Sequence, residues 1–353
     1  MKVNKDAALS FSDVILEPQY SSITSRLNTS LETVVAGNIK LDIPILSTNM
    51  ATVTEADMMI AMWKLGGAGI LHRFLPEEKL QDILIELQDN EVFPIIASIG
   101  VKEEDYHILH RLFFQCDLIL IDIAHGDSLA VHNMVKEIVN NFSIPVAAGN
   151  IATADAAKRL CDLGVSAVRV GIGGGDVCST RTVTGHGMPT LQSIMDVYPV
   201  TSSYKVALWG DGGFTCSGDI VKALAAGADC VTLGSLLAGT SKTPGEVFSR
   251  KTQVGFCPGA PVFHEERYKK FYGMSSKEAQ ELHREGLKVG TAAEGVSKEV
   301  PYRGETSDII NELLGGIRSG LTYSGARSIS QLRERAEFRV LSTGGIKESK
   351  YGK

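Results

Sequence analysis

Short apolar runs, each following a proline or glycine signal, recur along the first two thirds of the chain. Amphipathic stretches separate them, with apolar residues three and four positions apart, as in Glu77–Gln88, Ala130–Asn140 and Ala154–Leu163. Short strands alternating with helices predict an α/β fold, a parallel (β/α)8 TIM barrel. The eight predicted strands are Ile43–Ser47, Ala68–Leu71, Pro94–Ser98, Leu118–Ile123, Ile144–Ala148, Ala167–Val170, Val206–Trp209 and Cys230–Leu233.

A doubly wound open sheet is the alternative, but it usually carries Gly-x-Gly-x-x-Gly in its first βα turn, and none is present there. We therefore predict one barrel domain over residues 1–353. Residues 250–303 are polar and irregular, and their length favours a functional flap over a simple connection. Helices are predicted at Glu305–Arg318 and Ile329–Ala336. The tail from Ser342 to Ser349 is predicted to be flexible or to dock on a neighbouring subunit.

Composition narrows the class of protein. The chain has 353 residues, 44% of them hydrophobic, and a net charge of −6, which suits a large soluble domain and argues against a nucleic-acid-binding protein. No apolar stretch is long enough for a membrane span, and no apolar signal core follows the N-terminus. The six cysteines form no Cys-x-x-Cys pair, so neither a zinc site nor a disulfide framework is indicated. A reducing, cytoplasmic location is expected.

The sequence from Val168 to Arg181 carries the strongest candidate chemistry. After the β-branched run come glycines at 171, 173, 174 and 175, and then Cys178, Ser179 and Thr180. Such a loop lets backbone N–H groups approach a ligand closely. A cysteine on a loop that follows a barrel strand is suited to act as a nucleophile, although a buried structural thiol in a tight turn explains the same residues.

Polar residues follow the other predicted strands, where the carboxyl ends of barrel strands form one face. Asp211 with the glycine pair after strand seven, and Gly234-Ser235 after strand eight, are suited to a phosphorylated ribose. The carboxylate would accept hydrogen bonds from the ribose hydroxyls, and the backbone amides would hold the phosphate oxygens.

These segments together resemble the IMP dehydrogenase/GMP reductase family over essentially the whole chain. The matching segments are Ser47–Glu55, Asp122–Gly126, Gly171–Arg181 with Thr184-Gly185, Asp211–Gly213 with Ser217–Asp219, Phe271–Ser276, Ala293–Gly295 and Gly315–Ser319. The resemblance implies a homotetrameric (β/α)8 enzyme that binds a purine nucleotide and a nicotinamide cofactor. It implies Cys178 as the nucleophile that attacks C2 of the purine, with Thr180 as its partner.

Three features of the resemblance favour the reductase branch. Glu77–Gln88 runs directly into the third strand, which leaves no room for the regulatory insert domain of the dehydrogenases. The flap has no Arg-Tyr pair between Ser276 and Pro301. The segment Ala292–Gly295 matches the motif in which reductases place a catalytic glutamate, here Glu294.

Other segments are more similar to the dehydrogenases, among them Leu233–Glu246 and Asp122–Gly126. The arginine that reductases place three residues before the glutamate is Thr291 here. We therefore predict a GMP-reductase-like enzyme that converts GMP and NADPH to IMP and ammonia. An IMP-dehydrogenase-like enzyme using NAD, or a divergent member acting on a modified purine nucleotide or nucleoside, remains the alternative.

The resemblance also assigns the remaining site residues. Asp122, Ala124 and Gly126 are expected on the cofactor side, and the carbonyls of Gly173, Gly175 and Cys178 are expected to hold K⁺. The expected substrate-binding residues are Ser47, Met50, Asn150, Asp176, Asp211, Gly213, Gly234, Ser235, Met274 and Ser275.

Asp176 departs from the family pattern, which has serine here to contact the substrate phosphate and proline where this chain has Gly174. A carboxylate has no proton to donate at neutral pH, and each unit charge on a phosphate about 4 Å away would repel it by roughly 4 kcal/mol at an effective dielectric near 20. Three arrangements would relieve this repulsion: the side chain turns outward, a cation such as Arg181 or a metal lies beside it, or the substrate is not an ordinary 5′-monophosphate. On this basis Asp176→Ser should tighten GMP or IMP binding by at least about tenfold.

Overall fold

The computed structural model describes residues 3–257, 260–283 and 286–349, and its centre is a closed parallel barrel. The eighth strand pairs with the first, with Val231 opposite Ile45, and closes the sheet. All eight predicted strands are present, which confirms the (β/α)8 prediction. They are Ile45–Ser47, Ala68–Leu71, Ile96–Ile99, Leu118–Asp122, Val146–Ile151, Ala167–Val170, Ala207–Asp211 and Cys230–Leu233.

Helices surround the barrel and cover the outer faces of its strands. The predicted helices are confirmed with ends that shift by at most one residue, except that the helix predicted to end at Arg318 continues to Tyr323. The helix predicted from Ala154 begins there, because the side chain of Thr153 accepts the N–H of Ala156 as an N-cap. The helices are Ala56–Lys64, Glu77–Asp89, Glu103–Leu112, Leu129–Asn141, Ala154–Asp162, Thr180–Thr184, Thr190–Tyr204, Ser217–Ala226, Thr306–Tyr323 and Ile329–Arg335.

The inward faces of the strands fill the barrel with apolar side chains toward its amino end. Trp209 is fully buried there, and its indole N–H donates to the carbonyl of Val35 at 2.7 Å. Val35 belongs to the hairpin of strands Thr33–Ala36 and Ile39–Leu41, which covers this end. Successive side chains of a strand alternate between faces, so Asp211 points to the same interior as Trp209, one layer nearer the carboxyl end.

The flap is an ordered antiparallel sheet, so the prediction that residues 250–303 are irregular was wrong. Strands Phe248–Cys257, Ala260–Tyr272 and Ser297–Pro301 form this sheet, and helix Lys277–His283 lies between the last two. Polar alternation on strands with one exposed face resembles loop composition, which explains the error. The flap is anchored to the barrel by Lys269, which is buried and donates to the hydroxyl of Thr243 at 3.1 Å.

The two ends of the chain pair with each other. Strand Val14–Leu16 lies antiparallel to strand Phe338–Val340, a pairing that the sequence did not indicate. The tail forms helix Thr343–Glu348, capped by the side chain of Ser342, rather than the flexible segment that was one of the two expectations. Docking on a neighbouring subunit stays a prediction. Among the described residues, no helix combines the length and apolar character needed to cross a bilayer.

Candidate active site

A cavity of about 410 Å³ opens at the carboxyl ends of the barrel strands, below the flap. Its size falls within the range of small-molecule sites. Most of the residues that the sequence singled out line it together. These are Met50, Asp122, Ala124, Asn150, Gly173, Gly175, Asp176, Cys178, Thr180, Asp211, Gly213, Gly234, Ser235, Met274, Ser275 and Glu294.

Two predicted site residues do not line the cavity. Ser47, expected at the substrate, is fully buried, and its hydroxyl lies 2.9 Å from that of Thr54. Gly126, expected on the cofactor side, donates its N–H to the carbonyl of Asn150 at 2.8 Å, and a Cβ there would meet the backbone of Gly149 at 2.9 Å. Both residues therefore support the strand ends rather than face the cavity.

The loop after the sixth strand presents Cys178 at the cavity wall. Gly171 begins the turn with φ of +145°, and a Cβ at this position would lie 1.9 Å from the carbonyl oxygen of Asp211. No other residue fits so close to the neighbouring strand. The loop leaves the Cys178 side chain exposed, with Sγ 3.2 Å from the hydroxyl oxygen of Thr180, the first residue of helix Thr180–Thr184.

Glu294 completes this group from the flap. The hydroxyl of Thr180 donates to Oε2 of Glu294 at 2.9 Å. Backbone hydrogen bonds hold the glutamate in place, because its carbonyl accepts the N–H of Ser179 at 2.9 Å and its own N–H donates to the carbonyl of Ser275 at 3.1 Å. The predicted catalytic residues are thus connected as one hydrogen-bonded chain, Cys178–Thr180–Glu294.

Three of the other cysteines contrast with Cys178. Burial raises the pKa of the Cys161 thiol to about 11, and it also raises the pKa values of Cys116 and Cys230. Thiols with raised pKa values carry little thiolate at neutral pH and react slowly. Accessibility therefore favours Cys178 over these three as the reactive thiol.

A buried arginine at the centre of the barrel organises the polar strand ends, and the sequence reasoning missed it. Arg169 is 3% exposed and donates to the side-chain oxygens of Asn49 and Asn150, each at 2.6 Å. It also forms ion pairs with Asp122 and Asp211. The sequence feature that could have indicated this network is the arginine within the apolar strand Ala-Val-Arg-Val, because a buried charge requires partners.

Asp211 lies at the other side of this network. The amide of Asn150 donates to its Oδ2 at 2.7 Å, and the Arg169 guanidinium lies 3.8 Å away. Burial raises the pKa of the Asp211 carboxyl, while Arg169 and Asn150 oppose that rise. The carboxylate is thereby held in a fixed orientation at the cavity wall.

Asp176 has a cationic partner that the sequence did not indicate. Lys298, on flap strand Ser297–Pro301, forms an ion pair with it. Arg181, the cation considered from the sequence, instead donates to the carbonyl of Met188 at 2.7 Å. No local motif marks Lys298, because the contact joins residues 122 positions apart.

The expected K⁺ site stays a prediction. The carbonyl of Gly175 accepts the N–H of Cys178 at 3.1 Å within the loop, and the side chain of Arg181 lies against Gly173. Among the described residues, no three His, Cys, Asp or Glu side chains are arranged to hold a metal ion.

The sequence profile of the IMP dehydrogenase / GMP reductase domain matches residues 8–351. The chain belongs to the IMP dehydrogenase/GMP reductase family. Members of this family are oxidoreductases that use nicotinamide cofactors. The family assignment predicted from the sequence is therefore confirmed.

Relatives from both branches match the chain with similar sequence identity. The chain is 31% identical to the inosine-5′-monophosphate dehydrogenase of Nitrosopumilus maritimus, over 97% of each chain. It is 33% identical to the GMP reductase of Vibrio vulnificus, again over 97% of each. The crystal structure of a GMP reductase variant from Trypanosoma brucei with guanosine 5′-monophosphate superimposes with a TM-score of 0.88, at 27% identity and covering 99% of this chain and 98% of that one.

Proposed function

We propose that this member of the family is a GMP-reductase-like enzyme, which converts GMP to IMP and ammonia with NADPH as the reductant. One observation carries the proposal: the continuous hydrogen-bonded chain from the Cys178 thiol through Thr180 to Glu294. Reductive deamination needs a nucleophile at C2 and a proton for the leaving amine, and this chain of residues can serve both needs.

Proton transfer along this path forms the nucleophile. Thr180 accepts the thiol proton from Cys178 while its own hydroxyl proton passes to Glu294. The thiolate attacks C2 of the purine, and the C2–N bond to the amino group then breaks. The proton held by Glu294 returns through Thr180 to the amine, which leaves as ammonia, and the purine remains bound to Cys178 as a thioimidate.

A bound nicotinamide cofactor would supply the hydride to C2, after which the C–S bond breaks and Cys178 leaves as the thiolate. Arg73 and Phe74 form a flat surface in the cavity wall beside Asp122, with the guanidinium 4.5 Å from the ring centroid. A planar ring can stack on such a surface. Asp122 and Ala124 line the same side, so these residues fit a nicotinamide.

The remaining lining residues are assigned to the substrate. Asn150 and Asp211 would hold the ribose hydroxyls, while the backbone amides of Gly213, Gly234 and Ser235 would hold the phosphate. Met274 and Ser275 lie beside the flap segment that carries Glu294, where they would contact the purine. The thioether of Met274 is itself fixed, because it accepts the N–H of Ala51 at 3.3 Å.

An IMP-dehydrogenase-like activity is the second candidate, since dehydrogenases match the chain as well as reductases do. The alignment with the Nitrosopumilus dehydrogenase spans 476 positions, whereas that with the Vibrio reductase spans 350. The dehydrogenase therefore contains a long segment that has no counterpart in this chain, which supports the reductase.

The direct test is to mix the protein with GMP and NADPH, or with IMP and NAD, and to follow the absorbance of the reduced cofactor. We expect oxidation of NADPH that depends on GMP and releases ammonia. Reduction of NAD that depends on IMP, without the first reaction, would instead assign the chain to the dehydrogenases.

A further inference from the structure

The glycine-containing loops after strands six, seven and eight line the same cavity. A Cβ on Gly212 would meet the backbone nitrogen of Gly175 at 3.0 Å, so the loops after strands six and seven are in backbone contact. Within the described residues, the amides of Gly213, Gly234 and Ser235 donate to no protein acceptor. Unpaired N–H groups that line one cavity are suited to an anion, and we call the part of the cavity that these three residues line its anion end.

A carboxylate and an ammonium group lie at this anion end. Asp176 lines the cavity next to Gly175, and Lys298 approaches it from the flap to form the ion pair. The Lys298 ammonium also lies 5.9 Å from the ring centroid of Phe271, a buried residue that lines the same cavity. The ammonium is therefore near the cavity wall.

The ion pair contributes little to folding, because its two side chains are 38% and 46% exposed. Its effect on the cavity is larger. Asp176 alone would repel an anion bound to the neighbouring amides, whereas the ammonium of Lys298 cancels that repulsion.

We propose that Lys298 is a specificity-determining residue: by neutralising Asp176 it allows the anion end of the cavity to accept a 5′-phosphate rather than a 5′-hydroxyl. The inference rests on the proposed function, since it takes the ligand to be a purine nucleotide. The two members of the pair then have opposite effects on phosphate binding. Removing the lysine opposes binding, and removing the carboxylate favours it.

The test measures the binding of GMP, IMP, guanosine and inosine to the 353-residue protein by isothermal titration calorimetry at one fixed ionic strength. We expect Lys298→Ala to weaken both nucleotides by at least about tenfold, equivalent to 1.4 kcal/mol, and to change both nucleosides by less than about twofold. Asp176→Ser should tighten both nucleotides. The double variant should return to within about threefold of the parent protein, because neither charge remains.

Two further variants serve as controls. Lys270→Ala removes another flap lysine that is paired with a carboxylate, Glu278; unlike Asp176, Glu278 lies outside the cavity lining, so nucleotide binding should not change. Lys298→Arg keeps the charge and should retain most of the nucleotide affinity.

Equal weakening of nucleotides and nucleosides by Lys298→Ala would show that Lys298 only anchors the flap, and unchanged nucleotide binding would show that it has no role. Either result overturns the inference. The proposed function fails separately: a parent protein that binds GMP but neither deaminates it nor oxidises NADPH contradicts the activity and leaves the role of Lys298 intact.

Discussion

Thr180 donates its hydroxyl proton to Glu294 at 2.9 Å, although 114 positions separate the two residues in the chain. The threonine is fixed by the helix that follows the cysteine loop, and the glutamate is fixed by backbone hydrogen bonds to Ser179 and Ser275. The flap thus places a carboxylate beside the Cys178 loop that the barrel holds, so these neighbours depend on the docked position of the flap.

The covalent mechanism predicts that Cys178→Ala abolishes turnover but retains nucleotide binding. The substitution removes the nucleophile and little volume from an exposed position. Single-turnover assays with GMP and NADPH, together with calorimetric titration of GMP, measure the two effects. Cys216→Ala, at a partly buried cysteine outside the cavity lining, is the matched control and should keep full activity. Turnover near the parent rate in Cys178→Ala would exclude a covalent thioimidate.

The proton path predicts that Glu294→Gln lowers the rate of ammonia release by about 10²–10⁴-fold, the usual contribution of a positioned acid–base group. The amide keeps the shape of the side chain but cannot take a proton from Thr180. Ammonia release is measured under single-turnover conditions. Glu281→Gln, in the flap helix and outside the cavity, should have no effect. An unchanged rate in Glu294→Gln would place the relay elsewhere and favour the dehydrogenase alternative.

The buried network predicts that Arg169→Met lowers the free energy of unfolding by about 3–5 kcal/mol, because it leaves Asp122 and Asp211 without their buried cation. Urea denaturation measures this loss. Arg159→Met breaks an exposed pair with Asp127 and should cost no more than about 1 kcal/mol. Similar losses in the two variants would contradict the central role of Arg169.

The environment of Asp211 predicts an acid limit for nucleotide binding. Burial raises its pKa, so the carboxylate becomes protonated at a higher pH than an ordinary aspartate does. A protonated carboxyl accepts ribose hydroxyls less well, and binding should therefore weaken as the pH falls through this raised value. Calorimetric titrations of GMP at decreasing pH measure the limit.

The effect of Asp211 on folding has the opposite direction. A folded-state pKa above the unfolded value means that the native protein binds the proton more tightly, so the stability contributed by this carboxyl is lost as the pH rises through the raised pKa.

Asp211→Asn should remove the acid limit on binding. A limit that persists in this variant would assign it to another group.

The sequence determined the barrel and most of the site lining. The barrel strands are short apolar runs separated by amphipathic helices, and both patterns depend on neighbours a few positions apart. Cys178 was also predictable, because its glycine loop is continuous in the chain, and parallel strands necessarily bring their carboxyl ends to one face. The position of Glu294 came from the resemblance alone, since nothing in its local pattern distinguishes it from a solvated flap charge.

The tertiary structure decided the contacts between distant segments. Three contacts join segments whose local sequences do not indicate which segment they will pair with. They are the sheet in the flap, the pairing of Val14–Leu16 with Phe338–Val340, and the ion pair between Asp176 and Lys298. The sequence likewise did not determine the partners of Arg169, because its apolar strand indicated burial but not which oxygen atoms would surround the guanidinium. Local periodicity determines the face of a helix or strand on which a side chain lies. The partner of a charged side chain is determined only by the tertiary structure, because the closed barrel and the docked flap bring distant residues within hydrogen-bonding distance.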